Sequence, residues 1–89
     1  MEYLLVTRRD RTKFRDEEAE KLFAAEALGV EELRKKGFIR GIWSRADVTG
    51  ACLLIAAQDE AAVRSGLATL PLFQQKMVQI EALIPLSPY

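Results

Sequence analysis

Histidine is absent from this 89-residue chain, which also has only one cysteine, one tryptophan and three prolines. Without histidine the chain lacks the commonest metal ligand and the commonest general base, so acid–base chemistry must use carboxylates, arginine or hydroxyl groups. The lone Cys52 can form neither an intrachain disulfide nor a Cys-x-x-Cys metal site, and its apolar neighbours indicate that it is buried packing. We therefore expect no metal and no cofactor.

The sequence has no excess of charge of either sign, because 13 Lys and Arg residues balance 13 Asp and Glu residues. This balance argues against nucleic-acid binding, and the basic segment at residues 8–15 is interpreted as a solvated loop. No apolar run reaches membrane-spanning length and no signal peptide is evident, so we expect a soluble, cytoplasmic protein without a membrane partner. The length allows a single domain over residues 1–89.

One apolar stripe organises the chain, within a helix predicted over residues 16–36 and capped by Asp16. The stripe consists of Ala19, Leu22, Phe23, Val30 and Leu33. Glu26 falls in its middle. A carboxyl group in apolar surroundings has a raised pKa, which suits proton transfer near neutral pH. The alternatives are that Glu26 pairs with an arginine or reaches water at the edge of the stripe.

Period-two alternation predicts strands at residues 2–7, 38–45, 51–57 and 77–84, the last stopped by Pro85. A second helix is predicted over residues 60–68 with Asp59 as its N-cap, and residues 70–73 are predicted to form a loop. This β-α-β-β-α-β order predicts an α+β, ferredoxin-like fold, with a four-stranded antiparallel sheet and two helices on one face. Strand 51–57 is apolar on both faces, so a second copy stacked sheet to sheet is the natural cover for the bare face.

Three blocks of sequence at matching spacing resemble the muconolactone delta-isomerase family. They are Glu26 followed by Glu32-Leu33, then Gly37-x-x-Arg40-x-x-Trp43, and finally Leu70-Pro71-Leu72-Phe73 leading into Met77-x-x-Ile80-Glu81 and Pro85-Leu86. The resemblance implies a ferredoxin-like protomer and a homodimer or ring of dimers. It also implies cofactor-free chemistry on a small-molecule lactone or related carboxylate, in which a proton is removed and returned elsewhere so that a double bond shifts.

The resemblance also assigns roles to individual residues. It places the family's acid/base glutamate on Glu26 and its strand arginine on Arg40, which either binds a substrate carboxylate or neutralises a carboxylate of the protein. Thr49 and Ala51 stand where the family has Tyr and Asn, and the family's C-terminal His is missing, which leaves the substrate open. The predicted substrate-binding residues are Tyr3, Phe23, Trp43, Thr49, Phe73 and Met77.

Three functions follow from these residues. The first is a cofactor-independent isomerase or lyase that moves a proton on an unsaturated lactone, with Glu26 as general acid/base. The second is a cofactor-free oxygenase or cyclase acting on an aromatic polyketide, with a wider pocket lined by Phe23, Trp43, Phe73 and Met77. The third is a non-catalytic binding or assembly module, for which the pKa of Glu26 would be ordinary or lowered.

Overall fold

Strands and helices follow one another in the predicted order in the computed structural model, which describes residues 1–89. The elements are β1 (Glu2–Arg9), α1 (Asp16–Lys35), β2 (Ile39–Ser44), β3 (Gly50–Ala56), α2 (Glu60–Leu67), α3 (Pro71–Gln74) and β4 (Val78–Leu86). The four strands form one antiparallel sheet in the order β2-β3-β1-β4. This is the ferredoxin-like α+β fold predicted from the sequence. No helix is both long enough and apolar enough to cross a membrane.

The core lies between the helices and one face of the sheet. On β1 the residues that point into it are Tyr3, Leu5 and Thr7, which are almost completely buried. Across the ladder Leu5 pairs with Leu53 and Tyr3 pairs with Ile55, so successive rungs present apolar side chains to the helices. The helices contribute Leu33, Val63 and Leu67, and the segment before α3 contributes Leu70. A smaller cluster of Ala19, Leu72 and Met77 joins the start of α1 to α3.

The opposite face of the sheet is apolar and has no cover within the protomer. Leu4 and Val6 of β1 pair with Leu54 and Cys52 of β3, and all four are only partly buried. Trp43 on β2 continues this surface and is 57% exposed. The alternation that buries one face of each strand therefore leaves a second apolar face open.

Both ends of the basic segment differ from the prediction. β1 continues to Arg9, because Arg9 pairs with Val78 of β4 and its N–H donates to the carbonyl of Thr49 at 2.8 Å. The interpretation of residues 8–15 as a solvated loop is therefore wrong for its first two residues. Helix α1 begins at Asp16 with Arg15 as the N-cap, and Glu18 accepts a hydrogen bond from the Arg15 N–H. Asp16 is thus the first helical residue instead of the cap.

The C-terminal third shows two further differences. Residues 70–73 were predicted to form a loop, but Pro71–Gln74 form the short helix α3, in which Pro71 takes the first helical position where its missing N–H costs nothing. β4 continues through Pro85 to Leu86, because β4 is an edge strand and tolerates a residue that cannot donate to the ladder. The predicted N-cap of α2 is confirmed, since Asp59 accepts a hydrogen bond from the Ala62 N–H at 2.8 Å.

The predicted hairpin of β2 and β3 is present, with an irregularity near its start. Ile39 pairs with Ile55 whereas Gly41 pairs with Leu54, so one extra residue, Arg40, is inserted in β2. The predicted strict alternation of this strand is therefore wrong, and Ile39 and Ile42 face the same side. After the turn, Gly50 passes so close to β1 that a Cβ there would lie 2.1 Å from the carbonyl oxygen of Thr7. Only glycine fits at this crossing.

Candidate active site

A cleft of about 570 Å³ opens between the sheet, helix α1 and the turn of the β2–β3 hairpin. Its volume lies in the range of small-molecule sites. Its walls are mainly apolar, with contributions from Val30, Leu53 and Leu70. Its charged lining residues are Arg9, Glu26, Arg45 and Asp47. The arrangement of these four groups determines what the cleft can bind and what chemistry it can support.

Glu26 lies in this cleft and is held by a backbone donor. The N–H of Leu72 donates to Oε1 of Glu26 at 3.0 Å. Leu70, the N-cap of α3, offers no side-chain cap, and Pro71 has no N–H, so the Glu26 carboxylate satisfies the free donor at this helix start. No ion pair involves Glu26. Its second oxygen, Oε2, has no protein partner.

Burial raises the pKa of Glu26 above its ordinary value of 4.5, and the hydrogen bond from Leu72 opposes this shift without cancelling it. Removing the carboxylate from water disfavours its charged form, whereas a donor stabilises that form. The two causes together leave a carboxyl group that is anchored through one oxygen and holds its proton more tightly than an exposed glutamate. A carboxyl group whose pKa is raised in this way is better suited to accepting a proton than an exposed glutamate is.

Arg45 also lines the cleft and is engaged by protein acceptors. Its Nη2 lies 2.7 Å from Asp47, and its Nη1 contacts both Glu81 and the carbonyl of Thr7. Arg8 completes the network with a 2.8 Å ion pair to Glu81. These contacts lower the pKa of Asp47 to about 2 and lower the pKa of Glu81. The network joins the hairpin to β1 and β4, so its role is structural.

Arg9 also lines the cleft, but its charge is not neutralised. Its Nε is buried without a hydrogen-bond partner in the protein, and no carboxylate forms an ion pair with it. The guanidinium lies over the ring of Phe23, with Cζ 4.8 Å from the ring centroid. Arg9 is thus the one cation of the cleft that has no acid beside it.

The structure brings three of the predicted site residues together in the cleft, namely Glu26, Thr49 and Phe73. Arg40, predicted either to bind a substrate carboxylate or to neutralise a carboxylate of the protein, is exposed at the irregularity of β2 and does not line the cleft. Trp43 lies on the open face of the sheet, on the other side from the cleft. The aromatic-lined pocket expected for a polyketide enzyme is therefore not formed within the protomer.

The remaining three predicted residues belong to the packing around the cleft. Tyr3 is buried in the main core, where its hydroxyl donates to the sulfur of Met1 at 3.5 Å. Met77 is completely buried in the smaller cluster. Phe23 packs against that cluster and supports Arg9. Catalytic and binding roles for these residues stay predictions.

Sequence reasoning missed Arg9, Arg45 and Thr7 as cleft residues, although a signal for Arg9 was present. If the alternation of Tyr3, Leu5 and Thr7 is continued by one step, it places Arg9 on the same, helix-facing side. Ending the strand at Thr7 concealed this position. Arg45 and Thr7 carry no comparable signal, because their location depends on how the hairpin packs against β1. No group of three or more Asp, Glu or Cys side chains is placed to hold a metal ion.

Comparison with known proteins gives a family for this chain. The family model described as muconolactone delta-isomerase matches residues 1–88. A crystal structure of muconolactone isomerase superposes with a TM-score of 0.85 at 21% identity, covering 100% of this chain and 91% of that one. The 5-chloro-2-hydroxyhydroquinone dehydrochlorinase TftG from Burkholderia phenoliruptrix, solved with 2,5-dihydroxybenzoquinone, gives a TM-score of 0.64 at 22% identity, covering 94% and 89%. No curated protein sequence matches significantly. The chain belongs to the muconolactone delta-isomerase family.

Proposed function

We propose that this protein is a cofactor-independent isomerase or lyase that moves a proton on an unsaturated lactone, with Glu26 as the general acid/base. Family membership supports an enzyme of isomerase or related type. The observation that carries the finer proposal is the position of Glu26, a half-buried carboxyl group with a raised pKa that faces a cleft of small-molecule size. The family's acid/base glutamate and the residue chosen by periodicity are the same residue.

The reaction needs a base that first takes and later returns the same proton. In the proposed first step, Oε2 of Glu26 removes a proton from a carbon beside the conjugated lactone, and the electron pair left by the C–H bond delocalises onto the carbonyl oxygen. In the second step the protonated Glu26 gives the proton to another carbon, and the double bond shifts. The substrate and product have the same formula, so the reaction needs no co-reactant.

The geometry of Glu26 suits both steps. The hydrogen bond from Leu72 fixes one oxygen, which leaves the other in the cleft and limits the rotation of the carboxyl group. The raised pKa brings the proton affinity of Glu26 closer to that needed at neutral pH. The hydroxyl of Thr49, at the hairpin turn, is a candidate donor to the developing oxyanion. An elimination of chloride from a chlorinated lactone would begin with the same proton removal.

The two alternative functions have less support. A polyketide oxygenase or cyclase was expected to use a pocket walled by four large side chains, of which the protomer brings only Phe73 to the cleft. A non-catalytic module was expected to have an ordinary or lowered pKa at Glu26, whereas burial raises this pKa. Both observations favour proton transfer.

We also propose that the protein assembles through the open face of its sheet, as a homodimer or a ring of dimers. This face carries partly buried Leu4, Val6 and Leu54 together with the exposed Trp43. An 89-residue domain gains stability by covering such a surface, and a two-fold axis lets the same apolar residues cover each other. A cytoplasmic location is part of the proposal.

The test uses muconolactone in deuterated buffer, followed by proton NMR. The wild-type protein is expected to shift the double bond of the lactone, and deuterium at the carbon that gains the proton measures how far the protonated Glu26 exchanges with solvent before the second step. Glu26→Gln keeps the shape of the side chain and its acceptor for Leu72 but removes the base, so the rate should fall by roughly 10²- to 10⁴-fold. Glu31→Gln is the matched control, because Glu31 is an exposed glutamate on the same helix.

Two results would contradict the proposal. One is turnover by Glu26→Gln at the rate of the wild-type protein. The other is the absence of turnover, and of deuterium exchange into the lactone, in a folded wild-type protein offered both muconolactone and a chlorinated analogue. Circular dichroism on each variant establishes that the fold is retained.

A further inference from the structure

We propose that Arg9 is a carboxylate-binding residue, and that it selects ligands carrying a carboxylate at one end and their reactive carbon at the other. This inference rests on the proposed function in one respect: both take the same cleft as the ligand site. It is based on three observations about Arg9. These are its missing acceptor, its fixed orientation and its position relative to Glu26.

The missing acceptor is the first observation. A guanidinium carries five N–H donors, and a buried donor that lacks an acceptor carries a desolvation cost. Nε of Arg9 is such a donor. Arg45, the other arginine of the cleft, has Asp47 and Glu81 beside it. Within one cleft, the protein therefore supplies acceptors to Arg45 and none to Arg9. This contrast indicates that a ligand supplies the acceptor for Arg9.

The orientation of Arg9 is the second observation. Its guanidinium lies 4.8 Å from the centre of the Phe23 ring, a cation–π contact that fixes the position of its charge. Its backbone is tied on both sides, through pairing with Val78 and through the hydrogen bond to Thr49. A donor group that is already ordered loses little entropy when a ligand binds. The planar fork of an arginine also matches the two oxygens of a carboxylate.

The position of Arg9 relative to Glu26 is the third observation. Phe23 and Glu26 are three residues apart on α1, which places them on the same face about one helical turn from each other. Arg9, whose guanidinium lies over Phe23, and Glu26 line the same cleft and form no ion pair with each other. A small molecule in this cleft can therefore contact both groups.

The ion pairs of the cleft agree with a ligand that carries a carboxylate. Asp47 is paired with Arg45, whereas no carboxylate of the protein forms an ion pair with Arg9. A ligand carboxylate supplies the acceptor that Arg9 lacks.

The experiment measures binding without turnover, using two pairs of probes. One pair is a saturated γ-butyrolactone bearing an acetic acid substituent and its methyl ester, and the other is benzoate and methyl benzoate. Each probe is titrated into the full-length protein by calorimetry or by NMR at constant ionic strength. The wild-type protein is expected to bind the acid of at least one pair more tightly than its ester. Arg9→Gln should weaken binding of that acid by roughly 10- to 100-fold and leave the ester unchanged.

Arg11→Gln is the matched control. Arg11 also contacts the Phe23 ring, with Cζ 5.6 Å from the centroid, but it is exposed and paired with Asp16. Its substitution removes one positive charge from the same neighbourhood and should leave the acid preference intact. Arg9→Lys keeps the charge without the planar fork and should retain part of the preference, which guards against a general loss of fold in Arg9→Gln.

The outcomes separate this inference from the proposed reaction. Equal binding of acid and ester in both pairs, or an acid preference that survives Arg9→Gln, overturns the role of Arg9. Glu26→Gln should keep the acid preference, because the base takes no part in holding the carboxylate. If the acid preference depends on Arg9 while the wild-type protein leaves muconolactone unchanged, the carboxylate site stands and the proposed reaction fails.

Discussion

The carboxylate of Glu26 caps helix α3 through the N–H of Leu72, 46 residues away in the sequence, at 3.0 Å. This contact gives one side chain two functions. It closes the start of a helix that has no cap of its own, and it positions a carboxyl group with a raised pKa in the cleft. Structure and the proposed chemistry are therefore coupled at Glu26, and substitutions there can separate them.

Comparing Glu26→Ala with Glu26→Gln tests the capping function. Both variants are uncharged, but only glutamine keeps an oxygen that accepts from Leu72. The free energy of unfolding should be lower for the alanine variant by about 1 kcal/mol, the usual cost of losing such a cap. Urea denaturation at one protein concentration measures the difference. The control pair is Glu31→Ala and Glu31→Gln, at an exposed position of the same helix. Their free energies of unfolding should differ by only a few tenths of that amount. Equal stability of the two Glu26 variants would contradict the capping role.

The raised pKa of Glu26 predicts how stability depends on pH. Burial makes the folded state bind this proton more tightly than the unfolded state does. The resulting stabilisation is complete below the ordinary pKa of 4.5 and is lost as the pH rises through the folded-state pKa. Glu26→Gln has no such group, so wild type should lose stability relative to it as the pH rises above 4.5. Denaturation curves of both proteins across this range give the difference, and a difference that is constant or grows in favour of wild type would contradict the prediction.

Asp47 should behave in the opposite way. Its ion pair with Arg45 lowers its pKa to about 2, so the folded state favours the charged carboxylate. The stabilisation is complete above the ordinary value of 3.8 and is lost as the pH falls towards 2. Asp47→Asn should lower the melting temperature at pH 7 and have a progressively smaller effect between pH 4 and pH 2. Glu31→Gln, which removes an unpaired exposed carboxylate, should show no such trend. A pH-independent effect of Asp47→Asn would contradict the role of the pair.

The open sheet face predicts a solution dimer or a larger even-numbered assembly of the 10.0 kDa protomer. Leu54→Lys places a charge in the middle of this face and should produce monomers, because an unpaired charge cannot be buried between two sheets. Leu28→Lys makes the same change at a residue that is 73% exposed on α1, away from the sheet, and should leave the sheet-to-sheet dimer intact. Light scattering on all three proteins measures the mass. A monomeric wild type, or a dimeric Leu54→Lys variant, would contradict the prediction.

The fold could be predicted because its signals are local. Hydrophobic alternation located all four strands, and the stripe from Ala19 to Leu33 located helix α1. The errors occur where a tertiary contact decides the local structure. β1 extends to Arg9 because β4 lies beside it, and β4 continues through Pro85 because it is an edge strand. The inserted Arg40 depends in the same way on the register of a neighbouring strand.

The candidate site could be predicted only in part, because some of its residues are brought there by tertiary contacts. Glu26 is conspicuous in sequence because a charge interrupts an apolar stripe. The hydrogen bond that Glu26 accepts from the Leu72 N–H could not be predicted, because no pattern in either segment indicates that the two residues are in contact. Arg40 was favoured by the resemblance to the family, yet the protomer exposes it and places Arg9 in the cleft. Which of two arginines reaches a cleft depends on strand ends and register, which sequence patterns specify weakly.

The central claim is that Glu26 is a shielded carboxyl group that holds its proton more tightly than an exposed glutamate does. Carbon-13 NMR of protein labelled at the glutamate side-chain carboxyl measures its pKa directly, and the resonance that disappears in Glu26→Gln identifies it. We expect this resonance to titrate above the ordinary value of 4.5, whereas Glu18 and Glu81 titrate below it. A Glu26 carboxyl that titrates at or below 4.5 would contradict the claim.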